Sequence, residues 1–121
     1  MKTQEIAEKL VAWCNKEDYA SCYQNLYSPN IVSLEPEWAE NPRAEGMEAV
    51  GKKGEWWENT FEVHSTEVSE PTAAENWFSV RFDMDTTHKA SGQCSQSSEI
   101  AVYQVKEGKI VQEQFFYDMP G

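Results

Sequence analysis

The feature that most constrains the fold is a C-terminal β-hairpin in a chain that opens with helical periodicity. Residues 99–117 form two strand-like runs joined by the turn Lys106-Glu107-Gly108. Two glutamates, Glu99 and Glu113, stand in these runs among apolar and aromatic residues. Strands that follow helices along a chain indicate an α+β domain, in which the helices cover one face of the sheet.

The turn also predicts which side chains share a face of the sheet. A three-residue loop with a bulge places Val105 opposite Lys109 and Ala101 opposite Glu113. One face then carries Glu99, Ala101, Tyr103, Glu113, Phe115 and Tyr117. The other face carries Ser98, Ile100, Val102, Gln104, Gln112, Gln114 and Phe116. Since apolar residues occur on both faces, we expect one face to cover a pocket and the other to meet a partner.

Periodicity along the chain predicts three helices and five strands. The helices are expected from Thr3 to about Cys14, from Asp18 to the Ser28-Pro29-Asn30 stop signal, and from Gly46 to about Phe61. Strands are expected at 31–35, 62–69, 77–85, 93–105 and 109–118, with polar connections at 36–45 and 70–75. The clearest strand is 77–85, in which Phe78, Val80, Phe82 and Met84 alternate with polar residues.

Composition limits the kinds of partner. The 121 residues predict one domain, 1–121, and 21 acidic residues against 10 basic ones give a net charge of −11. Such a charge disfavours nucleic acid and anionic membranes as partners. The sequence has no apolar run near the roughly 20 residues of a membrane span and no signal peptide, so we expect a cytoplasmic protein.

Cysteines and histidines give no pattern typical of a metal centre. The three cysteines lack C-x-x-C spacing, so neither a disulfide framework nor a zinc site is expected. Cys14 and Cys22 fall on apolar helix positions, where free buried thiols are usual. His64 and His88 are isolated and lack metal-ligand spacing. We therefore expect a protein without a metal or another cofactor.

Four segments resemble the NTF2-like superfamily, and in particular its SnoaL-like branch, which includes polyketide cyclases. They are residues 11–18 (VAWCNKED), 26–36 (LYSPNIVSLEP), 46–50 (GMEAV) and 105–111 (VKEGKIV). Residues 53–57 (KGEWW), with EVHS at 62–65, look like an uncharacterised subgroup of that branch. The resemblance implies a cone of three N-terminal helices packed on a curved, mainly antiparallel sheet. It also implies a pocket between helices and sheet and a homodimer formed through the outer sheet face.

Ketosteroid isomerase shares this fold, and its functional residues can be compared with this sequence. The isomerase has a general-base aspartate directly before a proline, and Glu35-Pro36 occupies that place here. The positions of its two oxyanion donors fall on Leu10 and Ala101, which cannot donate. A base is therefore retained without the donors, and steroid isomerisation by the same mechanism is not expected.

Two functional interpretations follow from these residues. In the first, Glu35, Glu99 and Glu113 converge in an apolar pocket, where burial and like charge raise their pKa values. Such carboxyl groups are suited to proton transfer in an isomerisation, cyclisation or dehydration. The predicted ligand-binding residues are Trp56, Trp57, Phe78, Val80, Phe82, Tyr103, Phe115 and Tyr117. Up to three acids would favour a small ligand that is neutral or cationic and partly aromatic. In the alternative, the chain is a non-catalytic homodimeric ligand-binding or dimerisation module, the carboxylates bond backbone amides, and the aromatic residues are core.

Overall fold

The computed structural model describes residues 2–119, which contain three helices and seven strands. The helices are α1 (Thr3–Asn15), α2 (Tyr19–Asn25) and α3 (Met47–Thr60). The strands are β1 (Tyr27–Leu34), β2 (Arg43–Glu45), β3 (Phe61–Val68), β4 (Thr72–Ala74), β5 (Trp77–His88), β6 (Cys94–Lys106) and β7 (Lys109–Phe116). The predicted α+β class is confirmed, with β1 and β2 inserted between α2 and α3. No helix within residues 2–119 has the length and apolarity needed to cross a membrane.

All seven strands belong to one mixed sheet. Six of them follow the order β2-β1-β7-β6-β5-β3, and β4 pairs with β5 beside this path. The first strand, β1, runs parallel to the last strand, β7, and the remaining pairs are antiparallel. The β1–β7 pairing sets Ser33 next to Glu113, and this contact between distant parts of the chain positions the candidate site.

The short second helix begins where the sequence predicts and ends earlier than predicted. Asp18 caps it, since its carboxylate accepts hydrogen bonds from the backbone N–H of Ser21 at 3.2 Å and from the Ser21 hydroxyl at 2.6 Å. The helix ends at Asn25, and Ser28-Pro29-Asn30 belongs to β1. Proline is tolerated in this strand because the pairing of β1 with β7 shifts register between Tyr27 and Val32.

Two short strands lie in segments that the sequence predicts to be connections. β2 (Arg43–Glu45) lies within 36–45, and β4 (Thr72–Ala74) lies within 70–75. A three-residue strand is too short to show a period of two, and the pairing of β2 with β1 and of β4 with β5 is a tertiary effect. The prediction of plain connections there is wrong.

The C-terminal hairpin is confirmed, but its predicted register is wrong. The turn has two central residues, Glu107 (φ 51°) and Gly108 (φ 74°), and Val105 pairs with Ile110 instead of Lys109. A two-residue turn with positive φ at both positions matches the twist of the flanking strands. A register shift follows between Gln104 and Val105, so that Ala101 lies opposite Phe115. The predicted partner of Ala101 is Glu113, two residues from Phe115. A shift of two residues keeps the listed side chains on their predicted faces.

The helices cover one face of the sheet, here called the inner face. α1 packs on β3 and β5, and α3 packs on β1 and β2. The core between them contains Ile6, Leu10, Leu26, Ile31, Val50, Phe78, Val80, Phe82, Ala101, Tyr103, Val105 and Ile110, each 6% exposed or less. The opposite face, called the outer face, leaves Trp77, Ile100 and Phe116 between 42% and 53% exposed. The alternation of strand residues therefore separates a packed face from a partly apolar free face.

Candidate functional site

The candidate site is built around a carboxylate that solvent barely reaches. Glu113 of β7 is 4% exposed and lies on the inner face beside Tyr27 and Ser33 of β1. The Tyr27 hydroxyl donates to its Oε1, and the Ser33 hydroxyl donates to its Oε2 at 2.6 Å. Burial raises the pKa of Glu113, and the hydrogen bonds from Ser33 and Tyr27 oppose the rise because they stabilise the charged form.

Lys53 of α3 connects this buried carboxylate to a second one. Its Nζ donates to Ser33 Oγ at 2.7 Å and to Glu35 Oε2 at 2.6 Å. The ammonium group also lies 5.2 Å from the centroid of the Phe115 ring, within the range of a cation–π contact. The Lys53 and Glu35 side chains are only 25% and 15% exposed, so solvent and salt screen their ion pair less than a surface pair.

Glu35 carries the network from the core to the surface. Its Oε1 accepts a hydrogen bond of 2.5 Å from the Tyr117 hydroxyl, and Trp38 packs edge-on against the Tyr117 ring at 5.4 Å. Burial and the adjacent Glu35 raise the pKa of Tyr117, so the phenol keeps its proton at neutral pH. The linked groups, here called the carboxylate network, are Tyr27, Glu113, Ser33, Lys53, Glu35 and Tyr117.

The third predicted carboxylate, Glu99, lies near this network with a different environment. It stands on the inner side of β6 and is only partly exposed. Burial raises the pKa of Glu99 to about 7, the charge of Glu35 adds to the rise, and the charge of Lys53 opposes it. A carboxyl group with such a pKa can both accept and donate a proton near neutral pH, which is the property required of a general acid–base.

An open cleft of about 700 Å³ adjoins Glu35 and Glu99. It lies where β6 continues past the end of β7, because the β6–β7 pairing stops at Ile100 and Phe116 whereas the β5–β6 pairing continues to Cys94. The lining residues are Glu35, Pro36, Glu37, Arg81, Ser98, Glu99, Ile100, Gln114, Phe115, Phe116, Tyr117 and Asp118. Four of these carry carboxylates and one is an arginine, so the cleft has an excess of negative charge.

The structure brings only part of the predicted ligand-binding set to this cleft. Phe115 and Tyr117 line it. Phe78, Val80, Phe82 and Tyr103 are at most 6% exposed and pack in the core, where the Phe78 and Tyr103 rings stack at 4.7 Å. Trp56 is 56% exposed on α3, and Trp57 packs against Phe61 with ring centroids 4.4 Å apart. A ligand-binding role for the six residues away from the cleft stays a prediction.

The histidine and cysteine side chains lie outside the carboxylate network. His64 Nε2 is 2.7 Å from the Thr87 hydroxyl on an exposed part of the sheet. Cys14 and Cys22 are buried free thiols with their Sγ atoms 3.9 Å apart, and Cys94 is an exposed free thiol. Across residues 2–119, no three or more His, Cys, Asp or Glu side chains are grouped so that they could hold a metal ion.

The two positions compared with the oxyanion donors of ketosteroid isomerase are buried and apolar. Leu10 and Ala101 are 1% and 0% exposed and belong to the core. The hydroxyl groups of the carboxylate network already donate to carboxylates, those of Tyr27 and Ser33 to Glu113 and that of Tyr117 to Glu35. The geometry therefore gives no support to the steroid-isomerase arrangement of donors.

Three members of the carboxylate network were not predicted as site residues, namely Lys53, Ser33 and Tyr27. Lys53 follows the buried Val50 by three residues on α3, a spacing that places both on one face of the helix. Ser33 follows the buried Ile31 by two residues on β1, which places both on one face of the strand. A lysine and a serine at core-facing positions could therefore indicate a polar network from the sequence alone, because buried polar groups require hydrogen-bond partners.

Comparison with known proteins agrees with this architecture. The sequence model of the SnoaL-like domain family matches residues 1–117. A Mesorhizobium loti protein described as a candidate SnoaL-like polyketide cyclase, with carbohydrate phosphatase in brackets, is 32% identical and has a TM-score of 0.92. The match covers 97% of this chain and 100% of that one. No curated protein sequence matches the chain.

More distant structures share the fold. A candidate isomerase from Bacillus subtilis is 23% identical, with a TM-score of 0.73 over 94% of this chain and 84% of that one. An NTF2-like protein from Burkholderia thailandensis is 15% identical, with a TM-score of 0.85 over 98% of this chain and 92% of that one. The match over residues 1–117 and the 32% identical relative show that the chain belongs to the SnoaL-like family.

Proposed function

We propose that this protein binds a small molecule in the cleft and catalyses a proton transfer there, as in an isomerisation, cyclisation or dehydration, with Glu99 as the general acid–base. The observation that carries the proposal is the position of Glu99 on the cleft lining with its pKa raised to about 7. The description of the Mesorhizobium loti relative as a candidate polyketide cyclase supports this reaction class, since such cyclisation involves proton transfer.

The three predicted catalytic glutamates then have different roles. Glu35 also lines the cleft, but both of its oxygens are engaged, one by Lys53 and one by Tyr117. It therefore orients these two donors and lends negative charge to the site. Glu113 lies deeper and accepts from two hydroxyl groups, so its role is to hold Ser33 and, through it, the ammonium of Lys53. Only Glu99 contacts the reacting atoms in this proposal.

The ligand that best fits the cleft is neutral or cationic and partly aromatic. Its walls carry four carboxylates against Arg81, which would repel an anion. Phe115, Phe116 and Tyr117 supply aromatic surface next to Glu99. Pockets typically combine such apolar walls with a few polar groups that fix the orientation of the ligand.

Proton transfer can be tested without knowing the natural substrate. A panel of cyclic and aromatic ketones is incubated with the protein in D₂O, and exchange at the carbon next to the carbonyl is followed by ¹H NMR. We expect exchange with wild-type protein and its loss in Glu99→Gln. Glu55→Gln, which alters an exposed glutamate on α3, is the matched control. Equal exchange with wild-type protein and Glu99→Gln would exclude Glu99 as the base.

A second candidate function, a non-catalytic homodimeric module, is favoured by the outer face. Ile100 and Phe116 are 53% and 47% exposed there and are partners across the β6–β7 pairing. Exposed apolar patches of this kind often mark interfaces. We expect a dimer by sedimentation at micromolar concentration and a monomer for Ile100→Glu, with Trp56→Glu on α3 as an equally exposed apolar control. A wild-type monomer would refute this candidate.

A further inference from the structure

A single ammonium group, that of Lys53, lies near the three carboxylates of this site. Lys53 bonds Glu35 directly at 2.6 Å and reaches Glu113 through the Ser33 hydroxyl. Among residues 2–119, Glu99 has no ion-pair partner. When like charges share a site of low polarity, the carboxylate that holds a cation is favoured in its ionised form, and another carboxylate retains the proton.

We propose that Lys53 is a positioning residue: its ammonium group, held in place by Glu35 and Ser33, supplies the positive charge that lets Glu99 release its proton near neutral pH. Lys53 pairs with Glu35 directly and approaches Glu113 through Ser33. These are the two carboxylates that do not contact the reacting atoms in the proposed function. The inference rests on the proposed function only for its catalytic meaning, since the distribution of protons can be measured without a substrate. No other lysine contacts the carboxylate network within the described part of the chain.

The groups that face Glu99 come from several elements. Glu35 follows β1, Lys53 comes from α3, Glu113 comes from β7, and Tyr117 follows β7. Arg81 of β5, with Glu37 and Asp118, lines the same cleft. The negative charges raise the pKa of Glu99, and the positive charge of Lys53 lowers it. Removal of the Lys53 charge should therefore leave Glu99 protonated to a higher pH.

The test is a pH titration of the glutamate side-chain carboxyl groups by ¹³C NMR, with Glu99 assigned from the spectrum of Glu99→Gln. In Lys53→Met, we expect the midpoint of Glu99 to rise by about one pH unit, the low end of the effect of a neighbouring opposite charge. Lys53→Arg keeps the charge, so its midpoint should stay near that of wild type. Lys52→Met is the matched control, because Lys52 is exposed and pairs with Glu48 on the solvent side of α3 at 3.5 Å.

An unchanged Glu99 midpoint in Lys53→Met, or an equal rise in Lys52→Met, would overturn the proposal. If Lys53→Met does not fold, Glu35→Gln gives the decision. That change removes the like charge and releases Lys53 to Glu99, so the Glu99 midpoint should fall, and a midpoint that does not fall would refute the proposal. The Glu99 midpoints are measured without a substrate, so they do not depend on catalysis. Failure of the proposed proton-transfer reaction is therefore distinguishable from failure of the inference about Lys53. Where exchange is observed, its pH profile should move upward in Lys53→Met with the Glu99 midpoint.

Discussion

Replacing Glu99 with glutamine removes a carboxyl group that the folded protein prefers to keep protonated. Its pKa is about 7 in the folded state, against an ordinary value of 4.5. Because the folded pKa lies above the unfolded one, the folded state binds this proton more tightly. The contribution of Glu99 to stability is therefore fully present below pH 4.5 and is lost as the pH rises through 7.

The size of the loss follows from that difference in pKa. The interval from 4.5 to about 7, at about 1.4 kcal/mol per pH unit, corresponds to roughly 3 kcal/mol of unfolding free energy. Glutamine cannot ionise, so Glu99→Gln does not suffer this loss. We expect the free energy of unfolding of Glu99→Gln, relative to wild type, to increase by roughly 3 kcal/mol between pH 4.5 and pH 8.

Urea denaturation of both proteins across this pH range measures the effect. The glutamine side chain can change the free energy of unfolding by an amount that does not depend on pH. This amount cancels, since only the change with pH is compared. Glu55→Gln, at an exposed position of α3, should show a difference from wild type that does not grow with pH. If the difference between Glu99→Gln and wild type stays constant from pH 4.5 to pH 8, burial does not raise the pKa of Glu99 and the argument for its reactivity fails.

Three further predictions concern the core and the thiols. Tyr27→Phe removes a donor to the buried Glu113 and should lower the free energy of unfolding by about 2 kcal/mol, as measured by urea denaturation. Tyr23→Phe, which changes the adjacent ring, should lower it by less, and equal losses would contradict the carboxylate network. Gly51→Ala should stabilise α3 by up to about 1 kcal/mol, because nothing lies within 4 Å of the added methyl group, and a loss of stability would show crowding there. In an Ellman titration, exposed Cys94 should react first and the two buried thiols only on unfolding; three equally fast thiols would contradict their burial.

Much of the fold was predictable because strong local patterns agree with the tertiary structure. The alternation in 77–85 and the Glu107-Gly108 turn specify β5 and the last hairpin. The extra residue in β7 near Val111 was not predictable, because nothing in the local sequence distinguishes a bulge from a regular strand. The predicted faces of the hairpin are nevertheless correct, because the pairing of β6 with β7 is shifted by two residues and an even shift keeps each side chain on its face.

The site was harder to predict than the fold. Glu35, Glu99 and Glu113 were recognisable as acids in an apolar setting, and the hairpin placed two of them on one face. The partners that determine their protonation, Lys53 and Ser33, come from other elements and meet them only through tertiary packing. Sequence periodicity assigns a residue to a face, but it does not give the neighbour across the sheet.

The parallel pairing of β1 with β7 has a consequence for how the protein is made. β1 emerges from the ribosome some eighty residues before β7, so a nascent chain holds Tyr27 and Ser33 long before it contains Glu113. The cleft and its protonation equilibrium therefore arise only after the C-terminal hairpin is released and docks between β1 and β5. A stalled or truncated chain that lacks β7 leaves one side of β1 without its partner strand, and unpaired strand edges of this kind template aggregation. Formation of the site therefore requires β7 as well as β1.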